Sequence, residues 1–148
     1  MVEPDRRLNV MVKWPPVLAV TRLAGTPKKV CFVVTANKIV AYRTGRSKVV
    51  YIGATDEGIS RVVTAVAART EEILANHDLN HFEAHVITSK NVPRVETWRK
   101  LERALLLTFR DLFGEVPLCN RRGAGIQEED EFSYFTRERI RNVLEDLG

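Results

Sequence analysis

The chain has 148 residues, 45% hydrophobic and 28% charged, which is the content of one folded core; disorder over most of the length is excluded and two packed domains would be cramped. A net charge of +4 favours polyanionic partners without the density of a histone-like tail. Cys31 and Cys119 are the only cysteines, so neither a disulfide framework nor a structural zinc is indicated, and a reducing cytoplasm fits best.

In chain order, residues 1–28 read as an extension packing on the core. Its opening, MVEPDRRLNVMVKWPP, is charged and broken by proline before an apolar run could serve as a signal peptide. No segment reaches the roughly eighteen apolar residues a membrane span needs, so a soluble protein is expected. Residues 17–20 and 30–35 are β-branched runs separated by the turn signal AGTPKK. Residues 39–43 and 48–52 form two more apolar, β-rich runs joined by Thr-Gly-Arg-Ser, which predicts a hairpin.

From Thr55 the period changes. Ile59, Val62, Val63, Val66, Ile73 and Leu74 recur at helical spacing, with Thr55 or Asp56 as N-cap. FEAHVITS predicts another strand. A long helix then starts near Asn91, with Pro93 in its first turn, and runs to Phe113, where Gly114 suits a left-handed C-terminal residue. Residues 132–135 read as an edge strand, and Thr136 as the cap of a closing helix, RERIRNVLEDL. The order predicts an α+β fold over residues 29–148: a small, mostly antiparallel sheet flanked by helices.

Two places draw attention for chemistry. In the long helix, Val95, Trp98, Leu101, Leu105, Phe109 and Leu112 make an apolar stripe, and Glu102 lies on or beside it. A carboxylate there suffers desolvation unless it pairs with a cation, such as Arg61 or Arg99, or binds a metal. The second place is VVYIGATDEGISR. Gly53 directly after a strand allows close backbone approach, and Arg61, one turn into the next helix, can clamp a phosphate or sit on a solvated face.

The ordered set Tyr51-Ile52-Gly53, Arg61 ten residues after Tyr51, Glu102 in LERALL and Asn120 in PLCNRRG resembles the core of the GIY-YIG nuclease superfamily, over roughly residues 39–122. The first family motif fits best at Val40-Ala41-Tyr42, which keeps the tyrosine and lacks the glycine; Val30-Cys31-Phe32 lacks both. On this match the strands of Tyr42 and Tyr51 should pair side by side. The position near the third residue after the family's glycine is often basic, and here Ala54, Thr55 and Asp56 follow.

The resemblance implies divalent-metal-dependent hydrolysis of phosphodiester bonds in DNA. Glu102 would hold one Mg²⁺ or Mn²⁺. Arg61 would stabilise charge on the phosphate, Tyr42 or Tyr51 would orient or deprotonate the attacking water, and Asn120 would act as a structural tie or substrate contact. The alternative is a domain that keeps the fold and binds nucleic acid, or regulates, without turnover. Gly53, Lys48, Arg46, Arg121 and Arg122 are candidate nucleic-acid contacts, and Lys28, Lys29, Lys38 and Arg43 extend the set if their segments border one face. A second copy of the chain is a further candidate partner. His77, His81 and His85 recur every four residues; they do not share one helical face, although His81 and His85 could share a face of the strand, and His77 could reach the site.

Overall fold

The structure is a computed structural model that describes residue 10 and residues 28–77, 79, 81–90, 92–120 and 123–148. The strand expected over residues 17–20 and the contacts expected from Arg121 and Arg122 lie outside the described residues. Seven elements follow one another: β1 (Val30–Tyr42), β2 (Gly45–Thr55), α1 (Ile59–His77), β3 (Phe82–Ile87), α2 (Thr97–Phe113), α3 (Glu131–Tyr134) and α4 (Arg137–Leu147). The strands form one antiparallel sheet in the order β2-β1-β3. This is the expected α+β architecture.

Both faces of the sheet are covered. Cys31, Val33, Val49 and Ile52 pack with Leu101, Leu105 and Phe109 of α2 and Ile140 and Leu144 of α4. Val30, Phe32, Val34 and Val50 pack on the other side with Val62 of α1. The near-continuous apolar run of β1 reflects this double burial, because neither alternate set of side chains faces water. Every one of these side chains removes apolar area from solvent at roughly 25 cal/mol per Å².

Several expectations are corrected. The runs over residues 30–35 and 39–43 belong to a single strand, with register irregularities between Val34 and Val40. The hairpin turns at Arg43 and Thr44, not over the whole Thr-Gly-Arg-Ser link, because Tyr42 pairs directly with Gly45 and closes a two-residue connection. Gly45 is then set by packing: a Cβ there would lie 2.9 Å from the Phe113 ring.

The long helix begins at Thr97. Pro93 instead sits in a turn in which Val95 N–H donates to Val92 O at 3.2 Å and Arg94 takes a left-handed φ of 64°. Residues 132–135 do not form an edge strand. Glu131 is completely buried, its carboxylate accepting from Arg103 Nε and from Glu129 N–H, and this anchor winds the segment into the single turn α3. Tertiary pairing outweighs the β preference of Phe132, Tyr134 and Phe135. Finally, Tyr42 is not beside Tyr51, whose partner on β1 is Val34.

The cap of α1 is neither Thr55, which ends β2, nor Asp56, but Gly58, whose carbonyl accepts from the N–H groups of Arg61 and Val62; the two later helix ends agree with the sequence. Gly114 closes α2 at φ 76°, donating its N–H to Arg110 O at 2.8 Å, and Thr136 caps α4 by accepting from Arg139 N–H at 3.3 Å.

Candidate active site

The site is best built from the outer edge of β2, the side away from β1. In an antiparallel strand, backbone groups of alternate residues point to the same edge. Val50 O accepts from Cys119 N–H at 3.0 Å, and Ile52 offers both its groups to Asn120: Ile52 N–H donates to Oδ1 at 2.9 Å and Nδ2 donates to Ile52 O at 2.8 Å. The Asn120 carboxamide therefore imitates a neighbouring strand residue. The next group in that row is Ala54 N–H, which helps to stabilise the charged form of the Glu102 carboxylate from α2. Loop 117–120 and helix α2 thus close an edge that would otherwise invite pairing with another chain.

Glu102 is half-buried. Burial pushes its carboxyl above the usual range, while the charges of Arg99 and Arg103 and the Ala54 N–H pull the other way. Its charge, together with burial, pushes the thiol of Cys31 well up. Arg99 Nε lies 3.0 Å from Glu96, and Arg61 Nε lies 3.8 Å from Glu57 on the exposed start of α1, so neither arginine forms the close ion pair with Glu102 that its position on the apolar stripe suggested.

Gly53 also has a concrete reason. A Cβ on it would stand 2.5 Å from Phe32 Cζ, since Phe32 faces it directly across the hairpin. The Phe32 ring continues to Tyr51, centroid to centroid 5.8 Å, and the Arg69 guanidinium lies 5.2 Å from the Tyr51 ring. Tyr51 packs with the α1-side core and is half-buried.

Tyr42 stands elsewhere. Its hydroxyl donates to Val49 O at 2.6 Å and accepts from Leu118 N–H at 3.2 Å, and its ring meets Phe109 edge-on at 5.0 Å. Phe109 is seven residues beyond Glu102, about 10 Å along the helix. Burial lifts the phenol above its ordinary range, with the Leu118 N–H pulling it down. A hydroxyl fixed between two backbone groups is a structural tie.

The structure therefore brings Glu102 and Asn120 to the edge of the Tyr51-Ile52-Gly53 strand, while the Tyr51 ring packs on the α1 side, Arg61 stands on the exposed start of α1, and Tyr42 is set apart. The cations divide as well. Arg43 and Arg46 are exposed at the hairpin turn, Lys38 and Lys48 are exposed on the strands leading to it, and Lys28 and Lys29 lie at the opposite end. His81 and His85 both approach the Glu83 carboxylate, at 3.5 and 3.7 Å, on the β3 side of the sheet, and His85 Nε2 is 3.1 Å from Thr35 Oγ1.

Two features were missed from sequence. The Ala54 N–H is a backbone group and carries no residue signal. Phe32 was weighed only as a degenerate motif position, although a large ring opposite a strand glycine is a recognisable pairing.

For a divalent cation, Glu102 supplies one hard oxygen donor in a half-buried setting, which fits an ion that keeps most of its water. Among the described residues, the group of three acidic side chains whose oxygens lie within 4.8 Å of one another is Glu129, Asp130 and Glu131, and Lys100 and Arg103 already engage it.

The class these elements define is a small α+β domain with a helix carboxylate docked on a strand edge. No family model, curated protein or solved structure matches the chain. None of the helices among the described residues is long and apolar enough to cross a membrane.

Proposed function

We propose that the chain is a GIY-YIG-like endonuclease that hydrolyses phosphodiester bonds in DNA with one Mg²⁺ or Mn²⁺. The observation that carries this reading is Asn120 clamped to Ile52 of the Tyr51-Ile52-Gly53 strand, with the half-buried Glu102 carboxylate influenced by the Ala54 N–H two residues further along the same edge. Three separately coded segments of the resemblance, the Tyr51-Ile52-Gly53 strand, Glu102 and Asn120, come to one strand edge because α2 and loop 117–120 dock side by side.

Glu102 would hold the cation, which when bound supplies a Lewis acid for the scissile phosphate. Tyr51 takes the phenol role on this reading, since the Tyr42 hydroxyl proton is committed to Val49 O and its oxygen already accepts from Leu118 N–H. Asn120 is a positioning residue that fixes the height of Ile52 and so of its neighbours Tyr51 and Gly53. Arg61, on the exposed start of α1, would leave Glu57 to meet a phosphate, a small cost for an exposed pair. The buried Cys31 and Cys119, neither of them in a disulfide, accord with a reducing cytoplasm.

A second reading, a nucleic-acid-binding domain without turnover, is favoured by the loss of Tyr42 to the core. The experiment is incubation of the purified protein with Mg²⁺ or Mn²⁺ on supercoiled, linear and branched DNA, beside Glu102→Ala and Arg61→Ala. Cleavage by the wild type and not by Glu102→Ala supports hydrolysis. Salt-sensitive binding without cleavage by any of the three supports the second reading, and cleavage by all three equally defeats the assignment of Glu102.

A further inference from the structure

One buried polar group is unexplained by the packing: Trp98 is 7% exposed, its Nε1 is fully covered, and it has no hydrogen-bond partner. Buried donors are nearly always paired, so an orphan calls for a ligand or a functional reason. Its surroundings point to an anion. Trp98 is in the first turn of α2, a helix of 17 residues whose N-cap, Glu96, makes no side-chain cap bond, and whose first turn holds no acidic residue. The first N–H groups of a helix lack intrahelical acceptors, and the helix dipole adds positive potential there. The ammonium of Lys29 lies 4.8 Å from the centre of the Trp98 ring. The acid that precedes this turn, Glu96, is exposed and engaged by Arg99 at 3.0 Å.

Helix N–H groups, an indole N–H and an ammonium share one preference, an oxyanion with several acceptor oxygens. We propose that the N-terminus of α2, with Trp98 Nε1 and Lys29 Nζ, is a phosphate-binding subsite one helical turn from Glu102. This rests on the nuclease reading and deepens it: the occupant is a phosphate of the DNA backbone held beside the phosphate at Glu102. The subsite is a positioning device and takes no proton in the reaction. In the free protein the indole edge is covered, so the contact forms with a side-chain rotation of the kind common on binding. Lys29 is exposed, and its neighbour Lys28 has its Cα 3.7 Å from where a Cβ on Gly58 would be, just before α1. The basic pair therefore sits at the helix-entry end of the sheet, where a strand of nucleic acid passing Glu102 would meet it.

The test uses the full chain in metal-free buffer, where binding is separated from cleavage. In a Trp14→Phe background Trp98 is the only indole, and its emission is followed during titration with a DNA duplex and, separately, with inorganic phosphate. In parallel, DNA affinity is measured over a range of salt for the wild type, Lys29→Gln and Trp98→Phe, the last keeping the ring and removing only the N–H.

The expected result is an emission change with DNA, three- to tenfold weaker binding in each variant, and a salt slope that falls by about 0.9 for Lys29→Gln. A response to inorganic phosphate alone supports the anion site and overturns the DNA backbone as its occupant. Unchanged emission and unchanged affinity in both variants, with wild-type DNA binding intact, overturn the subsite and leave the nuclease reading standing. Absence of any DNA binding or phosphate response overturns both.

Discussion

At each end of the β1–β2 hairpin a polar side chain lies where the hairpin meets α2, Tyr42 from the hairpin at one end and Glu102 from the helix at the other, and the two are treated in opposite ways. At the turn end the Tyr42 hydroxyl gives its proton to Val49 O and takes one from Leu118 N–H, and aromatic rings enclose it. At the Thr55 end the Glu102 carboxylate stays half-buried with its charge disfavoured by burial, and an uncapped helix start and an orphan indole lie one turn away. Satisfied polar groups fix a structure, whereas groups left short of partners are where a ligand gains most. The contrast separates the tyrosine that holds the fold from the acid available for chemistry.

The sharpest test of the packed part of this contrast is Gly53→Ala. The new methyl would stand 2.5 to 3.0 Å from three carbons of the buried Phe32 ring, so the ring or the strand must move, and a loss of about 3 kcal/mol is expected in denaturant unfolding. Phe32→Leu in the same chain should recover a large part of it, as a double-mutant cycle would show. If Gly53→Ala is neutral for stability and harmful only to DNA cleavage, the glycine serves substrate approach instead.

Tyr42→Phe comes next. It leaves Val49 O and Leu118 N–H without their partner and should cost about 2 kcal/mol. Cleavage per folded molecule should not change. A variant as stable as the wild type but without activity would return Tyr42 to the catalytic set and break the contrast altogether. Asn120→Ala, which frees both backbone groups of the edge residue Ile52, should cost about 1 kcal/mol and speed exchange of the Ile52 amide in NMR.

How much of this was legible in the sequence follows the range of the interactions. The body of helix α1, the stop at Gly114 and the cap at Thr136 depend on near neighbours, and periodicity and capping rules read them well, whereas the start of α1 falls at Gly58 rather than at Thr55 or Asp56. Residues 132–135 misread as a strand because their fate is decided by Arg103, 28 residues before Glu131. Tyr42 was misplaced for a similar reason: the two-residue turn and the bulges of β1 set the register, and a one-residue change in pairing moves every side chain to the other face. Of the candidate site, Glu102 stands out as a carboxylate on an apolar helix stripe, and Asn120 is singled out only through the family resemblance. Their joint docking on β2 was not legible, since it runs through the backbone of Ile52 and Ala54.

The smallest effect expected is at Glu102, and it carries the most information because its sign is unusual. A carboxyl whose folded-state pKa is raised favours the protonated native state. That contribution to stability is complete below the unfolded value of about 4.5 and is lost as pH rises through the raised folded value. Glu102→Gln, which keeps an acceptor for Ala54 N–H and removes the charge, should therefore melt above the wild type at neutral pH, by under about 1 kcal/mol, and the difference should vanish in acid. Mg²⁺ reverses the order of the argument: a cation held by the ionised carboxylate should raise the melting temperature of the wild type and leave Glu102→Gln where it was. Equal shifts in both proteins would remove Glu102 as the ligand, and a wild type more stable than Glu102→Gln at every pH would mean that the carboxylate is paired for structure, like Tyr42 at the other end.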